Sequence, residues 1–450
     1  MDYHQAWTFL DQLQFFKIKL GLESMHSYLS DLGRPHKGLQ CIHIGGTNGK
    51  GSVGATLLSL LDTAGYRVGF YSSPHLSSVR ERFRIGTSCI SRQDFARHAT
   101  AIRDVLGKRR ITYFEFTTTL ALLWFVEQKV DLALLEVGMG GRLDATNVVT
   151  PLVSIITNVS MDHEQYLGTT LRQVAGEKAG IIKPQVPVVS GVARDESRDV
   201  ITSTCQSLQA PLYLLGRDFR AWPEEKAGQG WRYEGIAPAP GQKQRKVLRN
   251  LPLQLPGDHQ VENSALALAT LELLAGQGFA CSETQLRRGL AKARWPGRME
   301  EFWVDAKGRI RGTRPEEPGQ QVFHYLLDGA HNPAGVQALR HCLASDFSYR
   351  KLILVWAAMA DKDLHKTLAT IAPLAGTIIF TRPESERSAT PEQLKEILRS
   401  ENGQQIICEP SVETALSLAQ QEAGPDDLIC VAGSLYLVGR VRQLLCGDLV

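Results

Sequence analysis

Residues 42–52 constrain the fold of this chain more than any other stretch. They read IHIGGTNGKGS, an apolar run that meets four glycines, a lysine and a serine, and a helical pattern follows from Val53 to Leu61. A strand, a glycine loop and a helix in this order turn backbone N–H groups and the positive end of the helix toward one anion. The stretch therefore predicts a phosphate-binding loop, with a plain glycine-rich turn as the alternative.

The loop departs from the usual P-loop pattern G-x-x-x-x-G-K-[ST] in two places. Three residues, and not four, separate Gly45 from Gly49, and Gly51 stands between Lys50 and Ser52. The chemistry of the pattern is still present, because a lysine can reach terminal phosphates and a hydroxyl can serve Mg²⁺. Lys50 suits a triphosphate better than a dinucleotide, so a nicotinamide dehydrogenase is the least favoured interpretation.

Composition excludes several classes of protein. A length of 450 residues predicts two or three domains, and a net charge of +3 provides no general case for nucleic acid or an anionic membrane as partner. The eight cysteines form no C-x-x-C pair, which argues against a disulfide framework and a cysteine zinc site. The first residues do not resemble a secretory signal, and no apolar run approaches the ~20 residues of a membrane helix. We expect a cytoplasmic monomer whose partners are small molecules.

Strand and helix patterns alternate along most of the chain. In the first part, strands are predicted at 67–73, 132–137, 152–157 and 186–190, and helices at 2–32, 93–106, 116–127, 171–179 and 258–274. Crossovers of this length are typical of a mainly parallel, doubly wound sheet. Glycines and prolines between 215 and 250 interrupt the pattern and predict a small hairpin region or an exposed insertion.

A basic segment at 285–297, which ends in proline and glycine, is where we place the domain boundary. Alternation then resumes, with strands predicted at 302–304, 322–327, 352–356, 377–380, 405–408 and 428–431. Helices are predicted between them at 334–343, 364–371, 391–398, 412–422 and 435–445. The predicted domains are therefore an α/β domain at 1–294 and a smaller α/β domain at 295–450.

Three polar side chains follow predicted strands of the first domain. Ser73, Glu136 and His163 each stand at or just beyond the carboxyl end of a strand, as the glycine loop does. Taken singly, they read as a turn serine, a capping charge and a structural histidine. Ligands bind at this edge of a doubly wound sheet, and a hydroxyl, a carboxylate and an imidazole suit Mg²⁺ or Mn²⁺ together with phosphate oxygens.

Several motifs together resemble one known family. They are GTNGKGS at 46–52, YSSPH at 71–75, LEVGMGGRLDATN at 135–147, EKAGI at 177–181, DGAHNP at 328–333 and AGSLYLVG at 432–439. These stretches resemble the Mur ligase superfamily and, within it, folylpolyglutamate synthases and the bifunctional dihydrofolate synthase/folylpolyglutamate synthases of bacteria. The resemblance implies a P-loop-type doubly wound central domain and a smaller Rossmann-like C-terminal domain.

The implied activity is ATP-dependent amide ligation. The resemblance implies that L-glutamate is added to folates, as in tetrahydrofolate polyglutamylation, and to dihydropteroate, which yields dihydrofolate, each through an acyl phosphate. The alternatives are folylpolyglutamate synthase activity alone, another Mur-type ligase with a different acceptor, and a nucleotide-binding protein without turnover. The implied cofactors are ATP and Mg²⁺ at two sites, with Mn²⁺ as a substitute, and a carbamylated Lys178.

The resemblance also assigns roles to individual residues. It implies that ATP is bound by Thr47, Asn48, Gly49, Lys50, Gly51, Ser52, Asn263, Arg298 and Asp328. It implies that the metal ligands are Ser73, Glu136 and, for the second ion, His163. It implies that the catalytic residues are Lys50, Lys178 and His331. It implies that the substrates are bound by Thr112, Tyr113, Phe114, Glu115, Arg142, Asp144 and Ser434.

One departure from the family pattern bears on the second activity. The segment KLGLES at 19–24 resembles the pterin-binding stretch of the bifunctional enzymes, but Ser24 stands where those enzymes carry an arginine. The substitution weakens the expected pterin contact. We favour the bifunctional interpretation and keep the single activity as its alternative.

Overall fold

The computed structural model describes residues 1–13, 21–224, 230–236, 245–305, 308–314, 321–383, 387–398 and 404–447. The chain divides into two compact units, which we treat one at a time. The first comprises Met1–His75, Val79–Gln254 and Gln260–Arg294, and the second comprises Leu76–Ser78, Leu255–His259 and Trp295–Val450. The last change of unit along the chain thus falls between Arg294 and Trp295.

The first unit is built on an eight-stranded sheet. Its strands are β1 Cys41–Gly45, β2 Val68–Tyr71, β3 Phe83–Ile85, β4 Ser88–Cys89, β5 Leu132–Glu136, β6 Val153–Ile156, β7 Val188–Ser190 and β8 Leu212–Leu214. They lie in the order β4-β3-β2-β5-β1-β6-β7-β8, and only the pairs that involve β3 and β4 are antiparallel. Every residue of β1, β2, β5, β6 and β7 is buried, as in a sheet covered on both faces. The predicted doubly wound sheet is confirmed.

Helices precede, connect and follow the strands of this sheet. They are α1 Tyr3–Gln12, α2 Glu23–Asp31, α3 Lys50–Thr63, α4 Arg92–Leu106, α5 Tyr113–Glu127, α6 Glu164–Leu167, α7 Leu171–Ala179, α8 Asp195–Ser207, α9 Asp258–Ala275 and α10 Glu283–Lys292. The helical segment predicted at 2–32 contains two helices, α1 and α2, and residues 14–20 between them lie outside the described part. The basic segment that suggested a boundary lies largely on α10, which packs through Gly289 against Leu60 of α3.

A small antiparallel sheet interrupts the α/β pattern where glycines and prolines predicted it. Its strands, β9 Arg220–Pro223, β10 Trp231–Glu234 and β11 Val247–Leu251, lie in the order β11-β10-β9. Trp231 and Tyr233 are fully buried, so the described part of this region is packed and not an exposed insertion. The rest of the predicted region, 225–229 and 237–244, lies outside the described residues.

The second unit repeats the α/β design on a seven-stranded sheet. Its strands are β12 Glu300–Asp305, β13 Ile310–Arg311, β14 Val322–Leu327, β15 Leu352–Trp356, β16 Thr377–Phe380, β17 Gln405–Cys408 and β18 Leu428–Ala432, in the order β13-β12-β14-β18-β15-β16-β17. Its helices are α11 Pro333–Ser345, α12 Leu364–Ile371, α13 Pro391–Leu398, α14 Val412–Glu422 and α15 Leu435–Cys446. Separate apolar clusters cover the sheet, one through α11, α12 and α13 and the other through α14 and α15.

Among the described helices, none has the length and apolar character that crossing a membrane requires.

Candidate functional site

The glycine loop joins β1 to α3 in a conformation that needs glycine. Gly46 and Gly49 have φ values of 140° and 84°, which side chains with a Cβ rarely adopt. A Cβ at Gly46 would collide with Thr157, and one at Gly49 would collide with the side-chain oxygen of Asn263. The predicted ATP residue Asn263, on α9, therefore lies directly against the loop.

The segment that follows β6 holds the loop in shape. The Thr47 amide donates to the Asn158 carbonyl at 3.0 Å, and the Asn48 amide donates to the Asn158 side-chain oxygen at 3.0 Å. Thr157 donates from its hydroxyl to the Asn48 carbonyl at 2.6 Å. Because three separate hydrogen bonds fix it, the loop is preorganised before any ligand arrives.

Lys50 begins α3, three residues earlier than the pattern predicted. Its ammonium donates to the carbonyls of Gly46 and Thr47, both at 3.1 Å, so the positive charge lies over the loop. Ser52 is buried in the first turn. The run from Gly49 to Gly54 also satisfies the spacing G-x-G-x-x-G, but it lies inside α3 and Gly54 packs on a phenylalanine ring, so it forms no dinucleotide turn.

Ser73 and Glu136 meet at the carboxyl ends of β2 and β5. The Ser73 amide donates to Glu136 Oε2 at 3.2 Å, and Glu136 is only 4% exposed. His163 follows β6 and has a left-handed backbone, with φ of 51°, a strained conformation that is concentrated at functional sites. In the described residues no three histidine, cysteine or carboxylate side chains form a ready metal cage, so an ion here would need oxygens from a substrate.

Lys178, near the end of α7, is buried to 3% exposure. Burial and, after it, the charge of Lys50 lower the pKa of Lys178 to about 7, against the opposite effects of Asp162 and Asp144. The predicted catalytic lysines are therefore close enough to repel each other. His163 directly follows Asp162 in the chain, and its Nε2 lies 3.9 Å from the Asp162 carboxylate.

The predicted substrate segment forms the start of α5. Thr112 and Glu115 make a capping box, in which the Glu115 amide donates to the Thr112 hydroxyl at 3.1 Å and Glu115 accepts from the Thr112 amide at 2.8 Å. Ser24 donates from its hydroxyl to the other Glu115 oxygen at 2.6 Å. The Phe114 ring lies so close to Gly138 that a Cβ there would collide with it.

Arg142 and Asp144 belong to the loop after β5. Arg142 is half-exposed and interacts with Glu177. Asp144 is buried and accepts from the amides of residues 138, 139 and 146, each at 3.0 Å. Burial raises the pKa of Asp144, and these hydrogen bonds act against that rise. The structure thus occupies Asp144 within its own loop, and its role in substrate binding stays a prediction.

The remaining predicted residues form a separate group in the second unit. Asp328 follows β14 and accepts from the amides of Met299 and Ala330 at 2.9 and 2.8 Å. Arg298 lies against Gly329, where a Cβ would collide with its guanidinium. His331 Nδ1 donates to the Gly329 carbonyl at 2.8 Å. Ser434 follows β18 and caps α15, and its neighbour Gly433 donates to the Ala330 carbonyl, which joins the ends of β14 and β18.

Comparison with family models identifies both parts of the chain. Residues 44–271 match the Mur ligase middle domain, and residues 313–435 match the Mur ligase glutamate ligase domain. The chain belongs to the Mur ligase family.

Curated relatives of this Mur ligase carry folate-related names. The Bacillus subtilis dihydrofolate synthase/folylpolyglutamate synthase is 31% identical over 98% of this chain and 99% of its own length. A Haloferax volcanii protein named probable bifunctional folylpolyglutamate synthase/dihydropteroate synthase is 33% identical over 98% of this chain. The chain spans about half the length of that archaeal relative, 50%.

Solved structures of Mur ligases have the same fold. FolC of Escherichia coli in complex with DHPP and ADP matches with a TM-score of 0.84 at 31% identity, over 99% of this chain and 98% of the other. A bifunctional folylpolyglutamate synthase/dihydrofolate synthase of Yersinia pestis, complexed with AMPPNP and Mn, matches with a TM-score of 0.83 at 31% identity, over 99% and 98%.

Sequence reasoning did not identify the residues that brace the loop of this Mur ligase. Thr157 and Asn158 lie 109 and 110 positions beyond Asn48, their hydrogen-bond partner in the loop. Their only signal in the sequence is their position directly after a buried strand.

Proposed function

We propose that this chain is an ATP-dependent amide ligase that adds L-glutamate to folate-type acids through an acyl phosphate. One observation carries the proposal: a preorganised glycine loop holds Lys50 beside a second, buried lysine, at the sheet edge where Ser73 meets Glu136. A carboxylate is a poor acylating agent, and phosphorylation supplies a leaving group. Membership of a family with a glutamate ligase domain supports glutamate as the amine.

The residues of the loop supply charge and position. The amides of residues 47–52 and the Lys50 ammonium would hold the phosphates of ATP while the acceptor carboxylate attacks the γ-phosphorus and ADP leaves. Transfer of this kind depends on alignment and neutralisation of charge more than on covalent assistance. The amine of glutamate then attacks the acyl carbon, phosphate leaves, and one proton is released from the nitrogen.

The donors at the sheet edge fit magnesium. Mg²⁺ is usually held by one or two carboxylates together with substrate phosphates and water, and Glu136 with the Ser73 hydroxyl offers such a partial set. We assign the first ion to this pair and a second ion to His163, with Mn²⁺ as a substitute. When bound, the ions neutralise charge on the phosphates. The Yersinia pestis relative, with AMPPNP and Mn, supports this assignment.

Lys178 fits the carbamylation implied by the family. Carbamate formation needs a neutral amine, which attacks CO₂ and releases a proton, and burial lowers the pKa of Lys178 to about 7. The product carries a carboxylate. It would replace repulsion between Lys178 and Lys50 by attraction, and it would place a negative charge near His163.

The second domain would complete the chemistry. We propose that domain 1–294 binds ATP and the acceptor, the latter through Thr112–Glu115, and that domain 295–450 contributes Arg298 and Asp328 to the nucleotide. His331 and Ser434 would then face the incoming glutamate. We place this activity in the cytoplasm, carried out by a monomer on small-molecule substrates.

One contact favours a second candidate, folylpolyglutamate synthase activity alone. Ser24 stands where the bifunctional enzymes carry an arginine, and here it donates to Glu115 in the predicted substrate segment. A serine brings no charge to a pterin acceptor. Retention of both activities is our first choice, because relatives that match nearly end to end carry both names.

Phosphate release tests the proposal. Purified protein with ATP and Mg²⁺ should release phosphate when L-glutamate is supplied with tetrahydrofolate or with dihydropteroate, and mass spectrometry should show the glutamyl product. Release with tetrahydrofolate alone would leave the single activity. If neither acid supports release, the folate assignment is wrong, and the chain is a Mur-type ligase with a different acceptor.

A further inference from the structure

Arg82 is a buried arginine beside the site that no sequence motif singled out. It ends the short turn Val79–Arg82 before β3, and only 7% of it is exposed. The Ser72 amide donates to the Arg82 carbonyl at 3.0 Å, which places Arg82 next to the residue before Ser73. A buried guanidinium at this sheet edge requires an explanation, because an unpaired buried charge is costly.

Two neighbours fix the near end of the Arg82 side chain. Its Nε donates to His75 Nδ1 at 2.9 Å, and its guanidinium carbon lies 5.2 Å from the centre of the Tyr113 ring. An arginine Nε can only donate, so His75 Nδ1 is the acceptor of this hydrogen bond. Trp7 packs edgewise on the His75 ring, with centroids 6.5 Å apart, and holds it in place.

The far end of Arg82 is left open. Across the described residues, neither terminal nitrogen has a hydrogen-bond partner and no carboxylate forms an ion pair with Arg82. Neither nitrogen is among the fully buried side-chain atoms that lack a hydrogen-bond partner, so both remain accessible to solvent. The guanidinium is therefore clamped at Nε and presents its two-pronged end, the geometry that matches a carboxylate.

We propose that Arg82 binds a substrate carboxylate through its two terminal nitrogens, with His75 as the residue that positions it. The inference rests on the proposed function, in which every acid substrate carries a carboxylate. Tyr113, which packs on the guanidinium, belongs to the segment predicted to bind the acceptor. We therefore expect the carboxylate to come from the acceptor, with L-glutamate as the other source of the same chemistry.

A comparison of the two acceptors shows which carboxylate Arg82 binds. Dihydropteroate has one carboxylate, which reacts, whereas the glutamate tail of tetrahydrofolate has a second carboxylate that does not react. If Arg82 binds that second group, Arg82→Lys should raise the KM for tetrahydrofolate by roughly ten- to a hundredfold, because a single ammonium replaces a bidentate pair. The KM values for dihydropteroate, L-glutamate and ATP should not move.

Other patterns of change in the KM values assign Arg82 to other carboxylates. An equal rise for both acceptors assigns Arg82 to the reacting carboxylate, and a rise for L-glutamate alone assigns it to the incoming amino acid. Each supports carboxylate binding. His75→Leu, which removes the acceptor of Nε, should raise the same KM by a smaller factor. Arg84→Lys, two residues further along in β3, is the matched control and should leave all four values unchanged.

Calorimetric binding keeps this test apart from the test of the proposed function. Tetrahydrofolate and L-glutamate are titrated into wild-type protein and Arg82→Lys in the presence of a non-hydrolysable ATP analogue, and the analogue's own affinity reports an intact fold. Weaker binding of an acid to the variant supports the inference even if the wild-type protein releases no phosphate. Equal binding to both proteins, or no binding to the wild-type protein, overturns it.

Discussion

Replacement of Lys178 by methionine gives the sharpest test of the site's electrostatics. The side chain is 3% exposed, and burial followed by repulsion from Lys50 lowers its pKa from 10.5 to about 7. Methionine has a similar length and no charge. Lys178→Met should therefore abolish phosphate release and, at the same time, stabilise the folded protein.

The magnitude follows from the shift in pKa. Between pH 7 and pH 10.5 the unfolded chain holds a proton on Lys178 that the folded chain has lost, so the stability of the wild-type protein rises with pH in this window. At 1.36 kcal/mol for each pH unit, the unmodified lysine destabilises the fold by at most about 5 kcal/mol at pH 7 and by about 2 kcal/mol at pH 9. Below pH 7 the penalty no longer changes.

Denaturant unfolding of both proteins measures this difference. In CO₂-free buffer, the variant should exceed the wild-type protein in free energy of unfolding most at pH 7, and the excess should shrink toward pH 10. Bicarbonate should stabilise the wild-type protein alone if Lys178 is carbamylated. Lys366→Met, which removes a lysine with 76% of its side chain exposed, is the control and should show no such trend. An excess that is absent, or constant with pH, would refute the reasoning.

Three further substitutions test the loop and the metal ligand. Lys50→Ala should lower kcat for phosphate release by roughly a thousandfold in a protein that still folds, because it removes the charge that neutralises the transferred phosphoryl group. Gly49→Ala should weaken binding of an ATP analogue at least about tenfold through its collision with Asn263, whereas Gly65→Ala, with φ of 97° and open space around it, should not alter that affinity. Glu136→Gln should raise the Mg²⁺ concentration for half-maximal rate by about tenfold or more, and an unchanged Mg²⁺ dependence would exclude it as a ligand.

Periodicity predicted the bounds of several strands and helices to the residue. The bounds of β14, β15, β16, β17, α7 and α12 are those expected, because an apolar run between turn residues leaves little choice. Periodicity did not predict short or polar elements. Strand β4 has only two residues, and α8 is a surface helix with many polar side chains. Their formation depends on neighbours that a local pattern does not contain.

The residues of the site also differ in how far local sequence features could place them. Strand ends and glycines are local features, so Lys50, Ser73 and Glu136 could be placed at one edge from the sequence. The burial of Lys178 and the clamp around Arg82 could not, because each depends on residues from distant elements. Arg82 belongs to no motif that the sequence analysis identified. The role proposed for it depends on the open end of its side chain, which only the structure shows.

A buried relay explains why Glu136 and the glycine loop keep a fixed relation. His43 on β1 lies two residues before the loop, and its Nε2 hydrogen-bonds the Thr146 hydroxyl at 2.8 Å. Burial lowers the pKa of His43 to about 3, so the ring is neutral. Thr146 bonds in turn to Asp144, which accepts the amides of residues 138–139, directly after the strand that ends in Glu136. Asp144 thus uses its lone pairs inside the fold. These contacts favour Asp144 as a residue that positions Glu136 against the phosphate loop, at the one edge where transfer would occur.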